Sequence, residues 1–291
     1  MTFTAVSCTP EYNSGVNDQF QRLHITAITS TGRILYTHTP SRAPNGSIGY
    51  LPPEDVGALV SREIPGGGKG SSKIAGAAFS RVALAMVPMS RFGRRNLIHL
   101  FAITGDGRLV RTSSDGEGRW TPFRDVEVGE RAGERGEFTA VSAYALKNDP
   151  ESFYGGVQLC ATTVDGQLWH SIRTFTSGVD PDAGYWSGFG DVVHVVTGKP
   201  RSLGDVVDVS CSDVGTALHV AVATGDGRVW QARRFHADGT WSRFIDIEFI
   251  EGEGVRVGRD IGTIRRIAVA PAGQGQSHAC AITSNGRMWY A

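Results

Sequence analysis

The stretch HLFAITGDGRLVR, His99 to Arg111, decides how this chain folds. Up to Thr104, apolar residues alternate with small or polar ones, the period of two of a half-buried strand. Asp106-Gly107 then supplies the positive φ values that a two-residue hairpin turn requires. The same arrangement recurs as HITAITSTGRILY from His24, QLCATTVDGQLWH from Gln158, HVAVATGDGRVWQ from His219 and HACAITSNGRMWY from His278. The turn glycines are Gly32, Gly107, Gly166, Gly227 and Gly286, at intervals of 75, 59, 61 and 59 residues, the first interval holding one insertion. Asp or Asn precedes the glycine in every repeat but the first, where Thr31 stands.

Working outward, a further strand precedes each hairpin: FTAVSC from Phe3, FSRVALA from Phe79, FTAVSA from Phe138, VVDVSC from Val206 and IRRIAVA from Ile264. A fourth element follows three of them: WTPFRDV from Trp120, WSGFGDV from Trp186 and WSRFIDI from Trp241. The first repeat keeps a degraded copy, YLPPEDV from Tyr50, with Pro53 in place of Phe. Four strands in a unit of some sixty residues make a propeller blade. The expectation is therefore all-β: one five-bladed β-propeller domain over 1–291, with blades near 2–60, 77–128, 137–195, 205–250 and 263–291. The fifth repeat reaches Tyr290-Ala291 without a fourth element, so the last blade is expected to have three strands or to borrow one.

Composition agrees. The 38 glycines favour tight turns, and no segment sustains a 3.6-residue period, so little helix is expected. Apolar content of 40% is enough for a core. A formal net charge of zero argues against a nucleic-acid footprint. No run of eighteen apolar residues suggests a membrane span. The N-terminus lacks the basic and apolar regions of a leader peptide. A cytoplasmic protein, or one released without a signal peptide of the usual kind, is expected.

Several residues recur at matched places. Eight positions before the turn glycine stand His24, His99, Gln158, His219 and His278, four of the chain's eight histidines. A repeated ligand contact is one reading. A structural hydrogen bond tying the second strand to a neighbour is the other. A shared metal is not expected, because the residues belong to different blades. Thr29, Thr104, Thr163, Thr224 and Thr283 sit where a hydroxyl bonds a turn. Asp55, Asp125, Asp191 and Asp246 recur in the fourth element. Glycoside hydrolysis needs two carboxyls facing one bond, and one Asp per blade spreads them apart, so turn bonding is expected. Trp169, Trp230 and Trp289 lie three after the turn glycine and read first as packing. Trp120, Trp186 and Trp241 open fourth strands, where inter-blade packing and sugar stacking are both open.

Cys8 matches Cys211, and Cys160 matches Cys280. In a ring of five, neither matched pair is on adjacent blades, so disulfide reach is exceeded. Four free, buried thiols are expected, which fits a reducing compartment. No Gly-x-Ser-x-Gly elbow, phosphate loop, His-Glu-x-x-His or Cys-x-x-Cys occurs. GGGKGSSK, from Gly66, reads as a surface loop. RFGRRN, Arg91 to Asn96, is the densest basic run and reads as a solvated loop, with an anionic-ligand contact as the alternative.

LIHLFAITGDGRLVRT with GRWTPFRDV, and ALHVAVATGDGRVWQA with GTWSRFIDI, resemble the repeats of tectonin-like propeller lectins, above all the bacterial lectins first found in Photorhabdus. The five-unit count is similar to that of tachylectin-2, a five-bladed lectin. The resemblance covers nearly the whole chain. It implies shallow sugar sites on or between blades, several per molecule, without cofactor, metal or catalysis. On that reading the ligand-binding residues are Trp120, Trp186, Trp241, Tyr50, Trp169, Trp230, Trp289, His24, His99, His219 and His278, and the partners are glycans or glycoconjugates. Unequal loops between blades leave two alternatives. One is a protein-interaction scaffold using the long loops of blades one to three. The other is an enzyme with an active site at the axial mouth, with Glu11, Asp149 and Glu151 as candidate acids.

Overall fold

A computed structural model describes residues 2–13, 19–39, 50–62, 74, 77–88, 96–115, 119–127, 132–146, 155–176, 180, 182–247, 263–273 and 276–290. It is almost entirely β. The first sheet holds β1 (Phe3–Asn13), β2 (Gln19–Thr29), β3 (Ile34–His38) and β4 (Glu54–Asp55). The second holds β5 (Phe79–Pro88), β6 (Asn96–Thr104), β7 (Leu109–Ser114) and β8 (Arg124–Asp125). The third holds β9 (Phe138–Leu146), β10 (Gly156–Thr163) and β11 (Leu168–Phe175), with β12 (Gly184–Trp186) and β13 (Gly190–Asp191) both pairing β11. The fourth holds β14 (Val206–Asp213), β15 (Ala217–Thr224), β16 (Val229–Phe235) and β17 (Ile245–Asp246). The fifth holds β18 (Ile264–Gly273), β19 (Gln276–Thr283) and β20 (Met288–Tyr290). In each sheet the strands pair in chain order, save that β13 pairs β11 beside β12. These five successive sheets are the blades of a five-bladed β-propeller, the last with three strands.

The turns are built as their residues dictate. The Thr104 hydroxyl donates to the Asp106 carboxylate, and the Gly107 N–H returns to the Thr104 carbonyl at 2.9 Å with Gly107 at φ +80°. Thr163 with Asp165, Thr224 with Asp226 and Thr283 with Asn285 repeat the bond at 2.5 Å. In the first blade Thr29 meets the Thr31 hydroxyl at 2.9 Å instead. The fourth-strand carboxylates also serve backbone. Asp191 caps α2 (Val192–Thr197) by accepting from the His194 N–H at 2.9 Å. Asp55 accepts from the Ala58 N–H at 3.1 Å, at the start of α1 (Val56–Arg62). Asp125 accepts from the Glu127 N–H at 3.0 Å.

Within each of the two units described below, successive sheets are joined through their first strands. Ser7 Oγ on β1 accepts the Leu84 N–H of β5 at 3.0 Å, Ser142 on β9 that of Cys211 on β14 at 3.0 Å, and Ser210 on β14 that of Val269 on β18 at 2.9 Å. The buried Asp208 adds a bond to the Ile267 N–H at 2.8 Å. The turn glycines press on the next blade as well: the Gly32 carbonyl takes the Phe79 N–H at 2.9 Å, and that of Gly166 the Val206 N–H at 3.0 Å.

The chain divides into two compact units. One comprises Met1–Glu134, Ala145–Gln158 and Ile172–Gly188; the other comprises Arg135–Tyr144, Leu159–Ser171 and Phe189–Ala291. The core of the first gathers Ile28, Tyr36, Leu84, Leu100, Val110 and Trp120. That of the second gathers Cys160, Val209, Cys211, Leu218 and Val220. All four cysteines are free, but only Cys160 and Cys211 are buried; Cys280 is half-buried and Cys8 exposed. The expectation of four buried thiols fails at Cys8 because Val6 and Cys8, two apart on β1, share an exposed face, while Ser7 between them meets the next sheet. The thiols that do meet are Cys160 and Cys211, the pair that repeat matching does not select. The Cys211 thiol beside it, together with burial, holds Cys160 well above the usual thiol range.

The inter-blade contact can be isolated with two glycines of one conformation. Gly166 (φ +77°) would place a Cβ 2.7 Å from the Asp205 Cα, whereas Gly286 (φ +78°) has nothing within 4 Å. Gly286→Ala is expected to cost about 1–2 kcal/mol for the left-handed backbone alone. Gly166→Ala is expected to cost about 1–3 kcal/mol more, for overpacking. Urea denaturation of both variants checks this, and equal losses would contradict the close approach.

Candidate functional site

The recurrent histidines face a partner twelve residues later, on the third strand. His24 Nδ1 meets the Tyr36 hydroxyl at 2.7 Å, and His278 Nδ1 meets that of Tyr290 at 2.5 Å. The Arg111 guanidinium donates to His99 Nδ1 at 3.3 Å, and the Gln231 amide donates to His219 Nδ1 at 3.1 Å. Ser277 of the next blade joins His219 and Gln231 at 3.1 and 3.0 Å. An arginine can only donate, so His99 is the neutral Nε2–H tautomer. That nitrogen is buried without a hydrogen-bond partner.

The fourth-strand indoles reach back to the blade before. Trp120 lies edge-on to Tyr36 at 5.1 Å, Trp186 to Phe101 at 6.1 Å and Trp241 to His170 at 5.3 Å. At the first of these junctions a second-strand residue, its third-strand neighbour and the next blade's Trp come together as His24, Tyr36 and Trp120. Trp120 and Trp186 are buried, at 2% and 8% exposure. Trp241, Trp169 and Trp230 are half-buried. Trp289 and Tyr50 are exposed.

The junction of the second and third blades is the most highly charged. The Asp182 carboxylate accepts from buried Arg111 at 2.9 Å and from half-exposed Arg124 at 2.8 Å. Its backbone carbonyl takes the Arg173 guanidinium at 2.9 Å. Buried Arg173 lies over Phe175 and Trp186, with 5.5 and 5.7 Å to the ring centres, and His99 stacks on Phe175 at 4.8 Å. In the other unit, Arg135 covers Trp169 at 4.7 Å and donates to the Phe189 carbonyl at 2.9 Å. The Trp169 N–H donates to the Thr163 hydroxyl at 3.3 Å.

The fourth-strand indoles therefore meet Tyr36, Phe101 and His170 rather than other expected site residues, and the recurrent histidines stay in separate sheets. Among the described residues, no group of three or more His, Cys, Asp or Glu is placed to hold a metal, and no helix is long and apolar enough to cross a membrane. Sequence reasoning missed the third-strand series Tyr36, Arg111, His170, Gln231 and Tyr290. Its spacing, four after each turn glycine, was visible, but its chemistry changes from blade to blade. Asp182 lies in a stretch that matches nothing in the other repeats. The tract from Gly66 to Lys73, the basic residues Arg91, Arg94 and Arg95, and Asp149 and Glu151 lie outside the described residues, as does the side chain of Glu11.

Burial and nearby guanidiniums keep three histidines neutral. Burial, then Arg111 and Arg173, holds His99 well below 6.5; burial, then Arg234, takes His170 from 6.5 to about 3; burial, then Arg233, lowers His219. The unfolded chain therefore takes up protons first. For His170 the contribution to stability is complete above pH 6.5 and is lost as pH falls from there toward the folded value of about 3, at up to about 1.4 kcal/mol per pH unit; His99 and His219 act in the same direction. The melting temperature is expected to fall through this window, and to fall less in His170→Gln. Parallel pH profiles for the two proteins would contradict the assignment.

No family model matches the chain, and no curated protein matches it in sequence. Solved structures do share its fold. The BP39L lectin from Burkholderia pseudomallei superposes with a TM-score of 0.57 at 14% identity, covering 99% of this chain and 66% of that one. The fucose-specific lectin from Aleuria aurantia gives 0.56 at 11% identity, covering 98% and 73%. AofleA from Arthrobotrys oligospora gives 0.55 at 8% identity, covering 94% and 65%. The chain thus spans about two thirds to three quarters of the length of these structures. At such identities the likeness is one of fold alone.

Proposed function

We propose that this protein is a non-catalytic carbohydrate-binding protein, a lectin of the tectonin-like kind, with shallow sugar sites on or between its blades. The observation that carries the reading is the repeated junction, in which a fourth-strand indole packs edge-on against a ring of the preceding blade, Tyr36, Phe101 or His170. An indole face suits the C–H face of a pyranose, while carboxylate and guanidinium groups can exchange hydrogen bonds with neighbouring hydroxyls. Half-buried Trp241, Trp169 and Trp230 retain surface for a ligand. Buried Trp120 and Trp186 form supporting walls behind such sites. The rim pair Arg124–Asp182 offers a donor and an acceptor together.

Two further considerations support the reading. The fold is shared with lectins, one of them described as fucose-specific, which makes fucose the first sugar to test. Asp55, Asp125 and Asp191 are each engaged with backbone in their own blade, which does not favour a hydrolytic pair. The third-strand residues differ from junction to junction, so the sites are unequal in strength. Glycoconjugates carrying several sugars gain avidity from whichever sites they engage.

The test is a glycan array followed by calorimetric titration with free sugars. Binding is expected at millimolar or lower sugar. Arg124→Ala and Trp241→Ala, which change half-exposed residues, are each expected to weaken it about tenfold, near 1.4 kcal/mol, with the melting temperature showing both variants folded. Absence of glycan binding at millimolar sugar would refute the proposal.

A further inference from the structure

At three places a serine on the first strand of one blade accepts an N–H from the first strand of the next: Ser7 that of Leu84, Ser142 that of Cys211 and Ser210 that of Val269. A second-strand residue stands beside each serine. Thr26 lies opposite Ser7 and Ala221 opposite Ser210, both six positions before their turn glycine. Cys160 holds that position in the third blade. The third blade keeps the register of the first, because the Thr139 hydroxyl donates to the Thr162 carbonyl at 3.4 Å as that of Thr4 does to Ile28. Where one junction sets leucine beside threonine and another sets valine beside alanine, the junction of the third and fourth blades therefore sets two cysteines together.

Both thiols are free and buried, Cys160 at 0% and Cys211 at 5% exposure. They belong to one apolar cluster with Ala140, Val209 and Leu218, and within it they meet as hydrogen-bond partners. The Ser142 hydroxyl completes the group, 3.4 Å from the Cys211 sulfur. The pair is asymmetric. Cys160 keeps its proton, whereas the hydrogen bond from Cys160, opposed by burial and aided by Ser142, holds Cys211 below the usual thiol range. The thiolate is the form of sulfur that attacks an oxidant, and a second thiol beside it resolves the product. Cysteines on two facing sheets can be bridged, as the inter-sheet disulfide of antibody domains shows.

We propose that Cys160 and Cys211 form a modification site, a dithiol that hydrogen peroxide converts to a disulfide tying the second strand of the third blade to the first strand of the fourth. The Cys211 sulfur attacks the peroxide and breaks its O–O bond, becoming a sulfenic acid as one water leaves. The Cys160 sulfur then attacks that of Cys211. The S–S bond forms, and the sulfenic oxygen departs as a second water with the proton that Cys160 gives up. The two sulfurs lose two electrons in all, and the peroxide gains them. Burial favours the smallest oxidants, because neither sulfur offers a surface to a bulky disulfide. The chemistry needs only the two sulfurs and the oxidant, so it is independent of sugar binding.

The test uses the full chain carrying Cys8→Ser and Cys280→Ser, which replace the exposed and half-buried cysteines and leave only the buried pair. After treatment with hydrogen peroxide at neutral pH, the protein is denatured in iodoacetamide and its mass measured. Alkylated thiols are expected to fall from two to none, and the chain itself to be lighter by about 2 Da, the two hydrogens lost. Dithiothreitol is expected to restore both thiols. Peptide mapping of the oxidised chain with all four cysteines is expected to join the peptide holding Cys160 to that holding Cys211, which checks the link without any substitution. In Cys160→Ala, peroxide is expected to leave Cys211 as a sulfenic acid that dimedone labels. Two thiols still alkylated after oxidation, Cys211 carried on to sulfinic acid without a link, or links only between separate chains would overturn the proposal.

Discussion

A serine hydroxyl accepting the backbone N–H of the next sheet is the bond on which the arrangement of blades depends. Side-chain packing alone is non-directional and tolerates sliding between two sheets. Ser7, Ser142 and Ser210 remove that freedom, because each engages one amide on the neighbouring first strand. A buried amide left unpaired costs about 1–3 kcal/mol, so each bond sets a register as well as a contact. Gly32 and Gly166 act alongside, admitting the start of the next blade at a distance that no side chain could share.

With the first strands registered, the second and third strands of one blade meet the fourth-strand indole of the next. This explains why the junctions hold so many polar groups. A buried imidazole is tolerated when its Nδ1 has a partner on the adjoining strand, as His99 has in Arg111 and His219 in Gln231. Keeping these rings neutral avoids placing further positive charge beside Arg111, Arg173 and Arg233. The histidine ladder is thus a device for burying polar side chains between sheets, whatever ligand lies outside it.

Much of this was legible in the residues. The turn tripeptides, the first-strand motifs and the W-x-x-F-x-D pattern each have a strict geometric requirement, and such requirements survive as recurring letters. The threonine and aspartate roles followed from local hydrogen bonding and could be read directly. What escaped were contacts between repeats. The serine of FTAVSC recurs in three blades, yet its partner is a backbone amide, which leaves no mark in sequence. The Arg111–Asp182–Arg124 cluster joins residues of two blades and occurs once. The proximity of Cys160 and Cys211 arises because one lies on a second strand and the other on a first, so matching like with like passed over it.

The third-strand series has a consequence for how such a molecule can change. Its five members, Tyr36, Arg111, His170, Gln231 and Tyr290, differ in size, charge and hydrogen-bonding sense, while the strands that carry them keep the same register. The backbone is therefore indifferent to the side chain at this place. Each seam can be rewritten by a single codon while its neighbours keep their chemistry, so the scaffold works as a panel of independently adjustable positions.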